Sequence, residues 1–293
     1  MAPLLSQTLP AAAVKVIPDA DTFIMSSAPT NNFGGAGAIA VSGSTAVNGN
    51  NQSNGRFDSL LRFPMSNVIS SLDATLASHD WLIYRATLHL TEVGAPVNSS
   101  FNRGVGAFEI WWLAADDWIE GTGIPLERTT DGVTWNDVSF LLDPAKDVSL
   151  GQFTNSGVDG GLTFQLGLQA AFLSDIRSGS PVTLHLTAAS PQIGFTAGSR
   201  TFFVATNLPE LEIEADLNPN PRIEGFQLDT NVLLSFRTVS NWNYTVQFTE
   251  ALPGTTGFWS NQVIIPALPT NSHYVFKDGI TNQQRFYRLF LSR

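Results

Sequence analysis

The chain is built from short segments in which apolar and polar residues alternate, and this pattern limits its fold more than any other feature. The clearest such segment is Ile83–Glu92. Its inward-facing side chains are predicted to be Tyr84, Ala86, Leu88 and Leu90, with Arg85, Thr87, His89 and Thr91 facing out. Alternation with period two is typical of a β-strand that has one buried face. Since the sequence has neither heptads nor a long helical pattern, an all-β fold is predicted.

Similar segments are predicted to form the other strands of a first domain. They lie at residues 14–17, 22–25, 56–63, 162–169, 182–186, 201–205 and 211–215, with one short helical turn near 170–179. Residues 31–55 are rich in Gly and Asn and are expected to form turns. Strands separated in this way by Gly, Pro and Asn predict an antiparallel jelly-roll β-sandwich.

A proline-rich stretch divides the sequence. Residues 217–222 read LNPNPR, which is typical of a stiff, extended linker. We therefore predict an N-terminal segment at residues 1–14, a jelly-roll domain at 15–216 and a second domain at 223–293. The second domain has about six short alternating segments, as expected for a small fibronectin- or immunoglobulin-like β-sandwich.

Composition favours an exported protein. Only 14% of the 293 residues are charged, while Gly, Ser, Thr and Asn are abundant, which is more typical of extracellular β-proteins than of helical cytosolic enzymes. The chain has no cysteine, so neither disulfides nor thiolate zinc sites hold it together. Residues 1–220 carry 9 Lys and Arg against 21 Asp and Glu, so the basic footprint needed for nucleic acid is missing. No apolar run approaches the roughly 20 residues that cross a bilayer. We expect a secreted or cell-surface protein without a nucleic acid partner or membrane insertion.

Four of the seven tryptophans crowd into residues 108–137. On the strand predicted at 108–113, Glu109 and Trp111 point away from the core-facing residues. Those core-facing residues are Phe108, Ile110 and Trp112. The chain is then expected to leave the sheet in a long loop that holds Trp118 among acidic residues. Such an indole either forms a platform for a sugar ring or plugs the end of the β-sandwich core, and the sequence leaves both open.

Several motifs occur in the order found in one known family. They are PDADTFI followed by NNFGG, then SLLRF, ATLHL, WIEGTG, VTWND, GSRT and PELEIEA, and they span about residues 15–216. On these motifs the first domain resembles the DNRLRE family, which includes alginate-binding carbohydrate-binding modules, although the name-giving hexapeptide is absent. The resemblance implies a jelly roll from secreted, polysaccharide-active or surface proteins. Residues 223–293, with YTVQFTE, FWSN and QRFYRL, resemble a C-terminal β-sandwich of exported proteins from Verrucomicrobia-like bacteria, which implies no activity.

The resemblance and side-chain chemistry together select candidate ligand-binding residues. Sugar binding uses aromatic faces and planar polar groups, and arginine is the expected partner of uronate carboxylates. The residues that lie in family-like segments and have this chemistry are Asn32, Arg62, Trp118, Trp135, Asn136 and Arg200. For Arg62 a structural ion pair is the alternative, and for Trp135 it is core packing. The predicted function is non-catalytic binding of an extracellular polysaccharide.

Three aspartates are candidates for a structural calcium site. Asp19 and Asp21 flank the first strand, and Asp216 ends the last strand of the first domain. These carboxylates could meet if the two ends of the domain lie side by side, and their hard oxygens suit calcium. No other cofactor is predicted.

Catalysis finds little support, because the sequence has no GxSxG, HExxH or P-loop motif and no thiol. The acidic set Asp116, Asp117 and Glu120 has the chemistry of a glycosidase pair, but such loop residues are usually solvated. A structural role is the alternative function. In that case Lys15–Ile17, or residues 4–14, would pair with the sheet of an identical subunit and assemble a surface layer or fibre.

Overall fold

The computed structural model describes residues 12–48, 50–93, 103–158, 160–228, 231–250, 258–279 and 284–292. The chain divides into two compact units. The large unit holds the described residues up to His79 together with Ile83–Asp216, and the small unit holds Asp80–Leu82 with the described residues from Leu217 onward. This division falls at the start of the linker predicted from the sequence.

The large unit is built on one extensive sheet. Its strands are β1 (Ala12–Val16), β2 (Ala20–Met25), β3 (Ala38–Ser42), β4 (Phe57–Phe63), β5 (Trp81–Glu92), β6 (Gly106–Leu113), β7 (Val148–Asn155), β8 (Gly160–Gln165), β9 (Val182–Ala188), β10 (Gly194–Gly198) and β11 (Glu210–Leu217). Its helices are α1 (Val68–Leu76), α2 (Val138–Leu141) and α3 (Ala170–Ser178). The strand order is β1-β11-β5-β10-β3-β4-β9-β6-β7, with β2 paired to β4 and β8 to β5.

Phe108 on β6 marks the core of the large unit. Its ring is fully buried and lies 5.1 Å from the ring of Phe164 on β8 and 5.1 Å from that of Phe195 on β10. These strands are not neighbours in the strand order, so the antiparallel sheet curls until distant strands face each other across a shared apolar interior. Burial of apolar surface between such faces is the main favourable term in folding.

The small unit consists of two three-stranded antiparallel sheets. Its strands are β12 (Ile223–Leu228), β13 (Asn231–Thr238), β14 (Asn243–Thr249), β15 (Ser260–Ile265), β16 (Ser272–Gly279) and β17 (Phe286–Ser292). The sheets have the orders β12-β13-β16 and β15-β14-β17. Leu234, Phe236, Tyr244 and Val246 from the two central strands form most of its core. The six strands agree with the number of about six alternating segments predicted for residues 223–293.

The predicted all-β fold and its β-sandwich character are confirmed, whereas the jelly-roll connectivity stays a prediction. Two details were wrong. Thr201–Ala205 forms no strand, and the strand of that region is β10. Tyr84, expected to face inward, is 44% exposed and donates a hydrogen bond to Glu214 at 2.7 Å. Strands β3 and β7 and helix α1 were not predicted at all.

Strand β1 bears on the assembly hypothesis. It pairs antiparallel with β11 of the same chain, with Val14 opposite Ile213 and Lys15 opposite Glu212. One edge of β1 is therefore paired within the chain, and because β1 stands at the end of the described strand order, assembly through its other edge stays a prediction. Residues 4–11 of the other predicted donor lie outside the described residues. None of the described helices has the length and apolar character required to span a membrane.

Candidate functional site

One face of the sheet, formed by β4, β9 and β6, carries polar and aromatic side chains instead of core residues. On β6, Phe108 and Ile110 are buried in the core, whereas Glu109 and Trp111 are only half-buried and lie on the other side. The antiparallel register places Trp111 opposite His185 and Glu109 opposite Thr187 on β9. The predicted outward orientation of Trp111 is therefore confirmed.

Residues 114–147, here called the covering segment, fold over part of this face. A small apolar cluster joins the two. Leu60 and Leu113 from the sheet are buried with Trp118 and Val133 from the covering segment. The side chains of Trp111 and Trp135 pack at the margin of this cluster. The covering segment is thus fixed by its own small core and leaves the rest of the face open.

Trp118 belongs to this core and does not form a sugar platform. Its side chain is only 5% exposed, and its indole nitrogen donates a hydrogen bond to Thr183 Oγ1 at 3.1 Å. Of the two roles left open by the sequence, the structural one is correct, because an enclosed indole face cannot stack on a ligand.

Asn32 is completely buried and holds the covering segment by its backbone. Its Nδ2 donates to the carbonyls of Glu120 at 2.6 Å and Val133 at 3.0 Å, and its Oδ1 accepts from the amides of Gly34 and Gly123, both at 3.0 Å. Two donors and two acceptor positions are all that an asparagine amide offers. Asn32 therefore has no capacity left for a ligand, and its predicted binding role is corrected to a structural one.

The guanidinium of Arg62 is also hydrogen-bonded to other groups of the protein. Its Nε donates to Asp19 Oδ1 at 2.9 Å, and its Nη1 donates to the carbonyls of Asp116 and Trp118, both at 3.0 Å. The guanidinium lies 5.5 Å from the centre of the Trp118 ring. The alternative for Arg62, a structural ion pair, is the one that the structure shows.

Arg200 forms a two-point ion pair with Glu120 of the covering segment. Its Nε donates to Glu120 Oε1 at 2.9 Å, and its Nη2 donates to Oε2. This hydrogen bonding raises the pKa of Arg200. The backbone amide of Arg200 donates to Asp21 Oδ2 at 2.6 Å, so the pair and a buried aspartate lie together. Arg200 therefore fastens the covering segment. The sequence predicted that its guanidinium binds the ligand, but the structure shows it bound to Glu120.

A cleft of about 520 Å³ opens beside the covering segment. Trp111 from β6 and Trp135 from the covering segment both line it, and each indole is half-buried. Val138, Leu142 and Pro144 add apolar surface to its lining. Of the six residues predicted to bind ligand, Trp135 is the one that lines this cleft, while Asn136 is an exposed neighbour whose backbone amide donates to Pro29.

Both indoles are held in place by local hydrogen bonds. Trp111 Nε1 donates to Glu109 Oε2 at 2.8 Å. Trp135 begins a short 3₁₀ turn that is fixed by a capping box, in which Asp137 Oδ2 accepts from the amide of Thr134 at 2.9 Å and from its hydroxyl at 2.7 Å. A capping box of this kind satisfies amides at the start of a helical turn and sets the direction of the first side chains. The two aromatic faces are therefore preorganised.

The floor of the cleft is a buried polar network centred on Asp58. Arg56 Nε donates to Asp58 Oδ1 at 3.1 Å, Thr187 Oγ1 donates to the same oxygen at 3.0 Å, and His185 Nε2 lies 3.1 Å from Oδ2. Burial raises the pKa of Asp58, but the hydrogen bonds and charges of His185 and Arg56 outweigh it and hold this pKa below its ordinary value. Asp58 is thus a stable carboxylate that orients the residues above it.

The described residues do not assemble the predicted calcium site. No group of three or more His, Asp or Glu side chains suited to a metal occurs among them. Asp19 pairs with Arg62, Asp21 is buried beside the Arg200 amide, and Asp216 is exposed at the end of β11. The three aspartates therefore do not meet. Asp19 Oδ1 and Asp21 Oδ2 each accept a hydrogen bond from a nitrogen donor of the protein.

A second cavity, of about 630 Å³, lies elsewhere in the large unit. It is lined mainly by apolar residues, five of them phenylalanines, and the rings of Phe23 and Phe33 stack 4.6 Å apart. Its described lining includes no charged side chain. This cavity therefore lacks the combination of aromatic faces and charged polar groups that distinguishes the cleft at Trp111.

Sequence reasoning missed Arg56, Asp58 and His185 as residues of the cleft. The sequence signal was the period-two alternation of a β-strand. It places Arg56, Asp58 and Arg62 on the same side of β4 and of the residue that precedes it. Arg62 at the covered end was selected, while Arg56 at the open end was not.

Comparison with known proteins assigns neither a family nor a function to the chain. No protein-family model matches the chain, and the search of curated proteins finds no significant relative.

Proposed function

We propose that the large unit is a non-catalytic carbohydrate-binding module that holds a polysaccharide chain in the cleft between Trp111 and Trp135. The observation that carries the proposal is that these two half-buried indoles, one from the sheet and one from the covering segment, line the same cleft. Pyranose rings present C–H faces that pack on indoles, and a fixed pair of aromatic side chains binds at a low entropic cost.

The polar groups at the base of the cleft complement the indoles. Arg56 supplies N–H donors, and Glu109 and Asp147 supply carboxylate oxygens that accept hydrogen bonds from hydroxyls. Few but well-placed polar groups among apolar walls are typical of ligand sites. The similarity of residues 15–216 to the DNRLRE family supports the same assignment, and with it a secreted or cell-surface location.

Binding without hydrolysis is favoured by the state of the carboxylates in the cleft. A glycosidase needs a general acid whose pKa is raised, together with a second free carboxylate. The pKa of Asp58 is instead lowered, Glu109 accepts from Trp111, and Asp147 accepts from the amides of Ala114 at 3.0 Å and Asp143 at 2.7 Å. These groups therefore act as positioning and hydrogen-bonding residues.

Affinity electrophoresis through gels that contain soluble polysaccharides tests the proposal. Retention of the protein should fall about tenfold or more in Trp111→Ala and in Trp135→Ala, which corresponds to about 1.4 kcal/mol or more of binding energy. Trp259→Ala in the small unit is the control, because it removes an indole outside the cleft. Unfolding curves confirm that each variant is folded. Equal retention of all three variants and the wild type would count against the cleft.

A further inference from the structure

The charges that line the cleft distinguish between classes of polysaccharide, and this inference rests on the proposed function. The charged side chains in the described lining are Arg56, Asp58, Glu109 and Asp147. Among these four side chains, one positive charge is set against three negative ones. We propose that the cleft binds an uncharged glycan and discriminates against polyuronates.

Arg56 cannot offer a uronate carboxylate the two-point contact of its Nε and Nη2 edge, because both nitrogens already donate within the protein. Its guanidinium pairs with Asp58 and also donates from Nη2 to Thr187 Oγ1 at 2.5 Å. The Asp58 side chain is only 4% exposed, so a ligand carboxylate that drew Arg56 away would leave a buried negative charge with less compensation. The charge of Arg56 is therefore already compensated by Asp58, while its Nη1 can still donate to an uncharged hydroxyl.

The arginines that the family resemblance suggested for uronate recognition lie outside the cleft lining. Arg62 is bound to Asp19 and to two backbone carbonyls, and Arg200 is bound to Glu120. Neither guanidinium is available as the planar fork that recognises a carboxylate in two-point fashion.

The remaining acidic groups suit hydroxyl donors. Glu109 is half-buried on the sheet, and one of its oxygens already accepts from Trp111. An ionised carboxylate accepts several hydrogen bonds but donates none. Sugar hydroxyls can therefore donate to it without bringing a second negative charge, whereas a uronate adds like-charge repulsion in a partly desolvated site.

Parallel gels at low salt test the discrimination. The uncharged probes are hydroxyethylcellulose, galactomannan and arabinoxylan; the polyuronates are polygalacturonate and alginate; chitosan is the cationic probe. We expect retention by at least one uncharged glycan that Trp111→Ala reduces about tenfold, with polyuronates bound about tenfold more weakly.

The outcomes separate this inference from the proposed function. Retention by a polyuronate that equals the best uncharged glycan and requires Trp111 would overturn the inference but leave the cleft as the binding site. Chitosan retained more strongly than every uncharged probe would also overturn it. If none of the six polymers is retained through Trp111, the proposed function fails for these ligands, and the inference fails with it.

A variant that removes one negative charge tests whether the acidic side chains of the cleft cause the discrimination against polyuronates. Glu109→Gln keeps an acceptor but removes one negative charge from the cleft, so retention by polygalacturonate should rise about threefold relative to the best uncharged glycan. The matched control is Glu127→Gln, which removes the same charge from an exposed position of the covering segment outside the cleft lining. Equal effects of the two substitutions, or no effect of Glu109→Gln, would contradict the proposed origin of the discrimination.

Discussion

The indole nitrogen of Trp111 donates a hydrogen bond to the carboxylate of Glu109, two residues earlier on the same strand, at 2.8 Å. Residues two apart on a strand lie on the same face, so this bond stays within the side of β6 that looks away from the core. It fixes the ring in the lining of the cleft, which also contains Trp135. The same carboxylate therefore orients an aromatic platform and contributes to the charge of the site.

The capping box at Asp137 should control the position of Trp135. We expect Asp137→Ala to cost about 1 kcal/mol of unfolding free energy, as is usual when a cap is lost, and to weaken glycan retention about threefold because Trp135 loses its fixed direction. Asp131→Ala is the matched control. Asp131 accepts hydrogen bonds from Thr122 and Thr129 in the same covering segment, but it lies outside the cleft lining. If the two variants weaken retention equally, the capping box has no specific role in binding.

Gly121 should be irreplaceable for steric reasons. Its φ is +75°, and an added Cβ would lie 2.4 Å from the Oδ1 of the buried Asn32. Gly37 has a similar φ of +68° but open space around the Cβ position. In urea unfolding we expect Gly37→Ala to cost about 1 kcal/mol for the left-handed backbone, and Gly121→Ala at least about 2 kcal/mol more for the clash. Similar costs for both would show that Asn32 moves aside freely.

Asp21 should make stability depend on pH. It is 1% exposed and its Oδ1 has no hydrogen-bond partner among the described residues; burial is the main cause that raises its pKa from 3.8 to about 7. Between about pH 4 and pH 7 the unfolded chain has released this proton and the folded chain retains it. The folded state therefore loses stability as the pH rises through this window.

The Asp21→Asn variant measures this contribution. Asparagine cannot ionise, so the gain in stability of the variant over the wild type should grow as the pH rises from about 4 to 7, by at most about 4 kcal/mol. Urea unfolding at several pH values gives the difference directly. A difference that is constant across this range would contradict the raised pKa of Asp21.

The Arg200–Glu120 pair should stabilise the large unit without taking part in binding. A double-mutant cycle with Arg200→Gln, Glu120→Gln and the combined variant should give a coupling energy of about 1–3 kcal/mol, because the Glu120 side chain is only 13% exposed. Glycan retention of the folded variants should stay within about twofold of the wild type. A tenfold loss of retention in Arg200→Gln at unchanged stability would restore the ligand-binding role that the sequence suggested.

The strand pattern was predictable where large apolar residues alternate with polar ones, as in β4, β5, β6 and β9. It failed at β3 and β10, which are made mostly of small residues. Strand β10 reads GFTAG and pairs with β3, which reads AIAVS, so that Ala197 lies opposite Ile39. Small side chains give a weak alternation, and the neighbouring TFFVA looked more strand-like although Phe203 is 79% exposed. In such segments, pairing with neighbouring strands decides whether a β-strand forms, and local β-propensity does not.

The binding residues were only partly predictable for a similar reason. The alternation of side chains along β6 places Trp111 and Glu109 on the outer face of the sheet, but it does not predict which part of that face another segment covers. The fold of residues 114–147 decides this. It encloses Trp118 and Arg62 and leaves Trp135 and Arg56 beside the opening. Aromatic and arginine side chains have the same chemistry in both places, so only the long-range contacts distinguish structural from binding residues.

The central claim is that Trp111 and Trp135 contact the glycan, and the indole N–H signals in an NMR spectrum test it most directly. The seven tryptophans give separate probes, which single substitutions assign. On titration with an oligosaccharide of the retained glycan, the signals of Trp111 and Trp135 should shift together, while that of the enclosed Trp118 moves far less. Shifts confined to tryptophans outside the cleft, such as Trp242 or Trp259, would contradict the account.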